Sequence, residues 1–214
     1  MDLTKFGHSC VRLEKDGQVL VIDPGAFSEP GKALEGANGV LVTHEHPDHI
    51  DFDLVRGAAQ LDSNLHIWAP PSVVDQLGDL GDRVSATTPE TQFEAVGYKV
   101  QTFGGQHALI HPSIPMISNV GYLIDDRLFH PGDSFVVPNV EVKTLLVPIH
   151  APWSKIAEVI DFVIAVRAEN AHQIHDGLLN DIGRGMVEGH LTRIGARYRS
   201  VFRHLDTAEQ LTLT

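Results

Sequence analysis

Thr43-His44-Glu45-His46-Pro47-Asp48-His49 directly follows the apolar run Gly39-Val40-Leu41-Val42. A short, uninterrupted apolar run is typical of a strand that is buried on both faces. Such a strand is rigid, so polar side chains in the loop that follows it can be held at fixed distances from one another. Three histidines and one aspartate within six residues therefore predict a metal site in this loop, with a solvated polar turn as the alternative.

The spacing of these four side chains predicts two metal positions. His44 and His46 alternate along extended backbone, so both rings can point towards the same ion. Asp48 and His49 come after the turn imposed by Pro47 and can reach a second position. Imidazole and carboxylate donors favour divalent zinc, with manganese or iron as further candidates.

Outward from this loop, both halves of the chain show strands first and helices between and after them. This order predicts two sheets packed face to face with helices outside, an α/β fold with four αββα layers. The length and the 43% apolar content fit one domain over residues 1–214. The predicted strands and hairpins cover residues 3–6, 10–14, 19–22, 39–43, 65–69, 93–103, 119–130, 145–148, 171–174 and 210–213, and the predicted helices cover residues 51–61, 71–80, 156–168 and 180–194.

Composition disfavours several classes of partner. The formal net charge is −12, from 28 acidic and 16 basic residues, and an acidic surface repels nucleic-acid backbones. The N-terminus lacks the pattern of a secretion signal, and no stretch has the apolar length of a membrane span. The single cysteine, Cys10, cannot form an internal disulfide. We therefore expect a cytoplasmic protein with no nucleic-acid or membrane partner, and homo-oligomers remain compatible with the sequence.

The histidine motif resembles that of a known family, and three later stretches of the chain match the same family in the same order. The His-x-His-x-Asp-His pattern resembles the signature of the metallo-β-lactamase superfamily. The similarity continues through Gly7-His8 and Ile22-Asp23-Pro24 to three later elements of that family. These are the third-histidine loop Gly104-Gly105-Gln106-His107, the Gly-Asp-Ser element Pro131-Gly132-Asp133-Ser134, and the terminal histidine in Gln173-Ile174-His175-Asp176.

The resemblance implies a dinuclear hydrolase with the αββα fold of that superfamily. In such a centre a hydroxide shared by two divalent ions attacks an ester, lactone or phosphoester of a small molecule. Asp48 is the expected catalytic residue, since it can accept a proton while acting as a ligand. The bound cations would attract an anionic substrate. The implied ligands are His44, His46 and His107 for one ion, Asp48, His49 and His175 for the other, and Asp133 for both.

Within the superfamily, the ending His49-Ile50-Asp51 departs from the commoner His-x-Gly. It is more similar to the branch of L-ascorbate-phosphate lactonases and N-acyl-phosphatidylethanolamine phospholipases. This departure argues against a direct transfer of β-lactam or thioester specificity.

Three other functions compete with this hypothesis. Nucleases and RNA-processing enzymes of the superfamily carry a large extra domain, for which 214 residues leave no room. Sulfur oxidation at a single iron uses similar ligands. A non-catalytic metal-binding module would be favoured by a lost ligand, yet all seven positions are filled.

Several residues near the predicted site have no assigned role from the sequence. The chain has 13 histidines, and a histidine outside a ligand pattern is as compatible with a structural role as with a functional one. The unassigned histidines are His8, His111, His130 and His150. The residues expected in loops that form the pocket walls are Phe27, Met116, Phe135 and Trp153.

Overall fold

The computed structural model describes residues 1–213, which form two seven-stranded sheets with helices outside them. The elements of the N-terminal half are β1 (Asp2–Lys5), β2 (Val11–Lys15), β3 (Gln18–Ile22), α1 (Pro30–Ala33), β4 (Gly39–Leu41), α2 (Phe52–Leu61), β5 (His66–Ala69), α3 (Pro71–Gln76) and β6 (Val84–Ala86). Those of the C-terminal half are β7 (Gln92–Ala95), β8 (Tyr98–Gly104), β9 (Val120–Ile124), β10 (Leu128–His130), β11 (Thr144–Pro148), α4 (Ile156–Val166), β12 (Asn170–Ile174), α5 (Asp181–Gly195), β13 (Val201–Phe202) and β14 (Gln210–Thr212).

The two sheets have the strand orders β14-β1-β2-β3-β4-β5-β6 and β13-β12-β11-β10-β9-β8-β7. The first sheet therefore comes from the N-terminal half, except that β14 returns to pair antiparallel with β1. Both sheets are mixed, because hairpins such as β2–β3 adjoin parallel pairs such as β3–β4.

The side chains of β3 show why the chain folds into layers. Leu20 and Ile22 face the core between the two sheets, while Val19 and Val21 face the helices outside the first sheet. Successive side chains of a strand point to opposite faces, so an apolar run is buried from both sides. Full burial of one such side chain stabilises the fold by about 1.5–3 kcal/mol.

Helices cover the outer face of each sheet. Val55 and Ala59 of α2 pack on the first sheet, and Val159 and Phe162 of α4 pack on the second. α2 begins after Asp51, whose carboxylate accepts the backbone N–H of Leu54 as an N-cap. These layers confirm the predicted αββα sandwich.

The carboxyl ends of several strands meet at one edge of the sandwich. β3 and β4 are parallel neighbours, as are β10, β11 and β12. Polar groups at the ends of parallel strands come together, which is where α/β proteins place their sites. The residues that follow these strands are Asp23 after β3, the histidine motif after β4, Asp133 after β10, His150 after β11 and His175 after β12.

Short elements account for the differences from the predicted secondary structure. The helix predicted over residues 71–80 ends at Gln76, and a 3₁₀ helix follows over Gly78–Arg83. Gly81 in that segment has a φ of 60°, a left-handed conformation that an α-helix cannot contain. Strands β6 and β13 were not predicted, because two or three residues carry too little alternation to be recognised.

Candidate metal centre

All seven predicted ligand residues meet at this edge of the sandwich. Their donor atoms, together with one from His8, form two groups in which every atom lies within 4.8 Å of the others. The first group is His44, His46, His107 and Asp133, and the second is His8, Asp48, His49 and His175.

Besides Asp133, the first group contains three imidazoles that converge from two loops. The ring centroids of His44 and His46 are 4.8 Å apart, those of His46 and His107 4.8 Å, and those of His44 and His107 5.0 Å. His44 and His107 are buried, while His46 is partly exposed. Three rings at nearly equal separations can direct their nitrogens to one point between them.

The second group has the spacing of donors that share one ion. Oδ2 of Asp48 lies 3.4 Å from Nε2 of His175 and 3.9 Å from Nε2 of His49. Donors about 2 Å from a common ion lie roughly 3–4 Å from one another. Asp48, His49 and His175 are therefore spaced as ligands of a second ion.

Asp133, a member of the first group, also approaches the second group. Its Oδ1 is 3.0 Å from Nε2 of His49, and its Oδ2 is 3.3 Å from Nε2 of His107 and 3.1 Å from Nε2 of His175. The carboxylate thus contacts histidines of both groups. This is the geometry that a bridging ligand requires.

Buried polar atoms without partners test whether a metal fits here. Within residues 1–213, such atoms include Nε2 of His44, His49, His107 and His175 and Oδ1 of Asp133. Buried polar atoms are almost always hydrogen-bonded, and each one left unpaired costs about 1–3 kcal/mol. The close approaches around Asp133 do not satisfy these atoms as hydrogen bonds. Five such atoms directed at one location fit a metal-binding centre.

Hydrogen bonds on the opposite side of the rings fix their tautomers. In His49, His107 and His175 it is Nδ1–H that donates, so in the neutral ring Nε2 keeps its lone pair towards the centre. The acceptors are Oδ2 of Asp23, the carbonyl of Ala108 and the carbonyl of His150, respectively, each at 2.6 Å. The rings are therefore oriented as ligands without any ion.

Asp23 organises ligands of both groups. Its fully buried carboxylate accepts Nδ1–H of His49, and it also accepts the backbone N–H and the hydroxyl of Thr43, both at 2.7 Å. The Thr43 hydroxyl oxygen in turn lies 3.0 Å from Nδ1 of His44. The sequence motif did not reveal this role. The signal available in the sequence was that Asp23 directly follows an apolar strand, β3, as the histidine motif follows β4.

Two glycines allow the loops to approach closely. A Cβ on Gly25 would lie 1.9 Å from the carbonyl oxygen of Asp48, and one on Gly132 would lie 2.2 Å from Oδ1 of Asn119. That same oxygen accepts the backbone N–H of Asp133 at 2.9 Å. A larger residue at either glycine would displace a loop that carries a donor.

The metal-free pKa values differ between the two groups. Burial lowers the pKa of His44 well below its usual value. Burial also acts to lower the pKa of His175, but the carboxylates of Asp133 and Asp48 outweigh it and raise the pKa to about 9. The same balance, dominated by Asp133 and Asp23, raises the pKa of His49. Protons must therefore leave the second group when metal binds.

The four unassigned histidines have different roles. His130 is fully buried and structural: its Nε2–H donates to the carbonyl of Ser9, and its Nδ1 accepts the N–H of Gly132. His111 is exposed and interacts with Ser113 rather than with the centre. His150 contributes its backbone carbonyl to His175, and His8 belongs to the second donor group.

Aromatic and apolar side chains surround the centre as walls. The indole N–H of Trp153 donates to Oδ2 of Asp133 at 3.0 Å, and Phe135 packs against the indole with ring centroids 5.1 Å apart. Phe27 packs edge-on against His8 at 5.4 Å. Met116 lines a small cleft beside His46 and His107. All four predicted wall residues therefore lie close to the donor groups or to their neighbours.

Comparison with known proteins identifies the family. A family model described as a Beta-lactamase superfamily domain matches residues 2–175, which contain every residue of both donor groups. The chain belongs to the metallo-β-lactamase superfamily. This confirms the resemblance stated from the motifs, whereas the branch within the superfamily stays a prediction.

Relatives in the metallo-β-lactamase superfamily match nearly the whole chain. Protein Rv0786c of Mycobacterium tuberculosis is 37% identical over 199 residues, covering 91% of this chain and 92% of that protein. A UPF0173 metal-dependent hydrolase of Xanthobacter autotrophicus is 25% identical over 169 residues, covering 71% and 68%. The fold is similar to that of Igni18, a metallo hydrolase from Ignicoccus hospitalis, with a TM-score of 0.76 and 18% identity over 100% of this chain and 98% of that one.

The helices of the chain are short or polar compared with a membrane-spanning helix. None of those within residues 1–213 combines the length and the apolar character needed to cross a bilayer.

Proposed function

We propose that this metal-dependent hydrolase of the metallo-β-lactamase superfamily binds two divalent ions and cleaves an ester, lactone or phosphoester of a small molecule. The observation that carries the proposal is the set of unpartnered buried donor atoms around Asp133. Without metal these atoms destabilise the fold, and a hydrolytic dinuclear centre is a site that uses all of them.

Each of the seven predicted ligands then has a role. His44, His46 and His107 would hold one ion, Asp48, His49 and His175 would hold the other, and Asp133, which approaches histidines of both groups, would be shared. Imidazole with carboxylate favours zinc, with manganese or iron as alternatives. When bound, two such ions lower the pKa of a shared water and polarise the bond that is cleaved.

Asp48 is better placed than Asp133 to accept the proton of an attacking water. The side chain of Asp48 is 18% exposed and that of Asp133 only 3%. Burial acts to raise the pKa of Asp48, but its close contacts with His175 and His8 outweigh burial and hold the pKa below its usual value. Asp48 thus remains an ionised acceptor that solvent can reach.

The rim of the centre favours a substrate with a neutral, apolar body. Phe27, Leu109 and Met116 are 53%, 54% and 46% exposed, although large apolar side chains are usually buried. The stretch of residues 106–118, which carries His107, contains no Asp, Glu, Lys or Arg. The positive ions would attract a negatively charged group of the substrate. In a substrate with an apolar body, that charge would be confined to the group that contacts the ions.

Metal counting combined with a substrate panel tests the proposal. We expect about two ions per chain by elemental analysis after dialysis, and hydrolysis within a panel of nitrophenyl esters, a lactone and a phosphodiester. If the apolar rim binds the substrate, each added methylene should lower KM by up to about fourfold. One tight ion per chain under metal-replete conditions would contradict the dinuclear centre. Full metal loading with no hydrolysis, or cleavage of RNA alone, would support the binding-module or nuclease alternative.

The pH dependence of metal binding is expected to differ between the two sites. Below about pH 9 metal-free His175 carries a proton that the second ion must displace, whereas His44 stays neutral at pH 7. Affinity for the second ion should therefore fall about tenfold per pH unit for each displaced proton. Titration with metal at pH 8, 7 and 6 should show the stoichiometry dropping from two towards one, and activity falling with it. Stoichiometry and activity that do not change over this range would contradict the assignment.

A further inference from the structure

We propose that His8 is a positioning residue that holds the carboxylate of Asp48, and that it is not a ligand of the second ion. This inference rests on the proposed function, in which Asp48 accepts a proton. Distance alone suggests the opposite, because the donor atom of His8 lies within 4.8 Å of those of Asp48, His49 and His175. The hydrogen bonds of the ring distinguish the two roles.

The first step is the tautomer of His8. The backbone N–H of Gly177 donates to Nδ1 of His8 at 3.1 Å. An amide N–H can only donate, so Nδ1 must present its lone pair, and in a neutral imidazole the proton is then on Nε2. This tautomer is the reverse of that in His49 and His175, whose Nδ1 atoms donate.

The second step is the direction of the Nε2–H bond. Nε2 of His8 lies 3.2 Å from Oδ2 of Asp48, which can accept its proton. A nitrogen that carries a proton has no lone pair for an ion. Ligation by His8 would require the proton to move to Nδ1, where it would oppose the N–H of Gly177 across 3.1 Å.

The third step is the rigidity of the ring. The His8 side chain is fully buried, and its ring lies 4.1 Å from the ring of His175. The carbonyl oxygen of His8 accepts the backbone N–H of His175 at 3.1 Å, so the backbone and the ring both contact the loop after β12. The ring packs closely against Gly177, where an added Cβ would lie 2.9 Å from Nδ1. His8 itself has a φ of 39°, a conformation that non-glycine residues rarely adopt and that is often found at functional sites.

Holding one oxygen of Asp48 has a chemical consequence. The contacts of this carboxylate with His8, His49 and His175 all involve Oδ2. With Oδ2 fixed in that way, Oδ1 is the oxygen that can face an attacking water and take its proton. The orientation of the Asp48 carboxylate therefore depends on the ring of His8, which lies in a different loop.

The tautomer can be tested without measuring turnover. In protein loaded with cadmium-113 and labelled with nitrogen-15 histidine, His49 and His175 should show nitrogen–cadmium coupling. His8 should show a protonated Nε2, an unprotonated Nδ1 and no coupling to cadmium. Coupling at His8 would overturn the proposal even if no substrate is ever found, so failure here is distinct from failure of the hydrolase assignment.

Substitutions test the positioning role. His8→Phe should keep about two ions per chain but lower turnover per bound ion by roughly 10–100-fold, the usual effect of losing a group that orients a ligand. His8→Gln, whose amide can donate to Asp48, should recover most of this loss. The control is His172→Phe, a buried histidine that bonds the carbonyl of Arg203 outside the centre, and it should leave turnover per ion unchanged. Loss of an ion in His8→Phe, or no recovery of turnover with His8→Gln, would contradict the proposal. If either variant fails to fold, the cadmium spectrum of the unaltered protein decides whether His8 is a ligand.

Discussion

Asp133→Asn is expected to weaken both metal sites together. The carboxylate approaches His49, His107 and His175 within 3.3 Å, so it contributes to both donor groups. An amide carries no charge and has one oxygen where the carboxylate has two, so it cannot replace the bridge. Loss of a group that only orients a ligand costs about 10–100-fold in metal affinity or in activity, and loss of a shared ligand should cost more than that in affinity at each site. Activity should fall to the level of the metal-free protein.

Calorimetric titration of the metal-free protein with zinc measures this effect. Asn is preferred to Ala because its oxygen can still accept the indole N–H of Trp153, which bonds Oδ2 of Asp133. Asp126→Asn is the matched control, because Asp126 pairs with Lys99 at the surface and should leave both affinities unchanged. Retention of one ion at its original affinity would show that Asp133 belongs to a single site.

Asp48→Asn is expected to lower turnover far more than metal content. The amide oxygen can coordinate weakly and can accept Nε2–H of His8, so part of the second ion should remain. The amide cannot accept a proton, and loss of a general base usually lowers turnover by about a hundredfold or more. Turnover divided by measured metal content should therefore fall by at least that factor.

A ligand without a proton-transfer role provides the comparison for Asp48. His46→Gln removes a partly exposed imidazole of the first group, and its turnover should decline only in proportion to the metal that is lost. Equal fractional losses of metal and turnover in Asp48→Asn would make Asp48 a ligand alone. The proton acceptor would then have to be sought elsewhere at the rim.

The histidine motif could be predicted from the sequence because its information is local. His44, His46, Asp48 and His49 lie within six residues, directly after an apolar strand whose burial is visible in its composition. Asp133 is different, since an isolated aspartate after glycine is usually a turn residue. It was recognised through the family resemblance, and the structure then placed it between the two donor groups.

Asp23 and His8 could not be assigned from the sequence for physical reasons. The role of Asp23 depends on the parallel pairing of β3 with β4, which puts its carboxylate beside Thr43 and His49. The role of His8 depends on the N–H of Gly177, a hydrogen bond across 169 positions of the chain. Local patterns contain no information about contacts of this range. The strands and helices were predicted more fully, since alternation and helical periodicity are properties of neighbouring residues.

The meeting of both sheets at one edge also constrains the order of folding. The first sheet supplies His44 and His49, and the second supplies Asp133 and His175, so neither ion has its full set of donors until the two sheets have docked. Closing a long chain segment is slow and entropically costly, and contacts between distant residues form late. Under the proposed function, metal uptake would therefore be the last step of assembly, and the bound ions would stabilise the docked state of the two sheets.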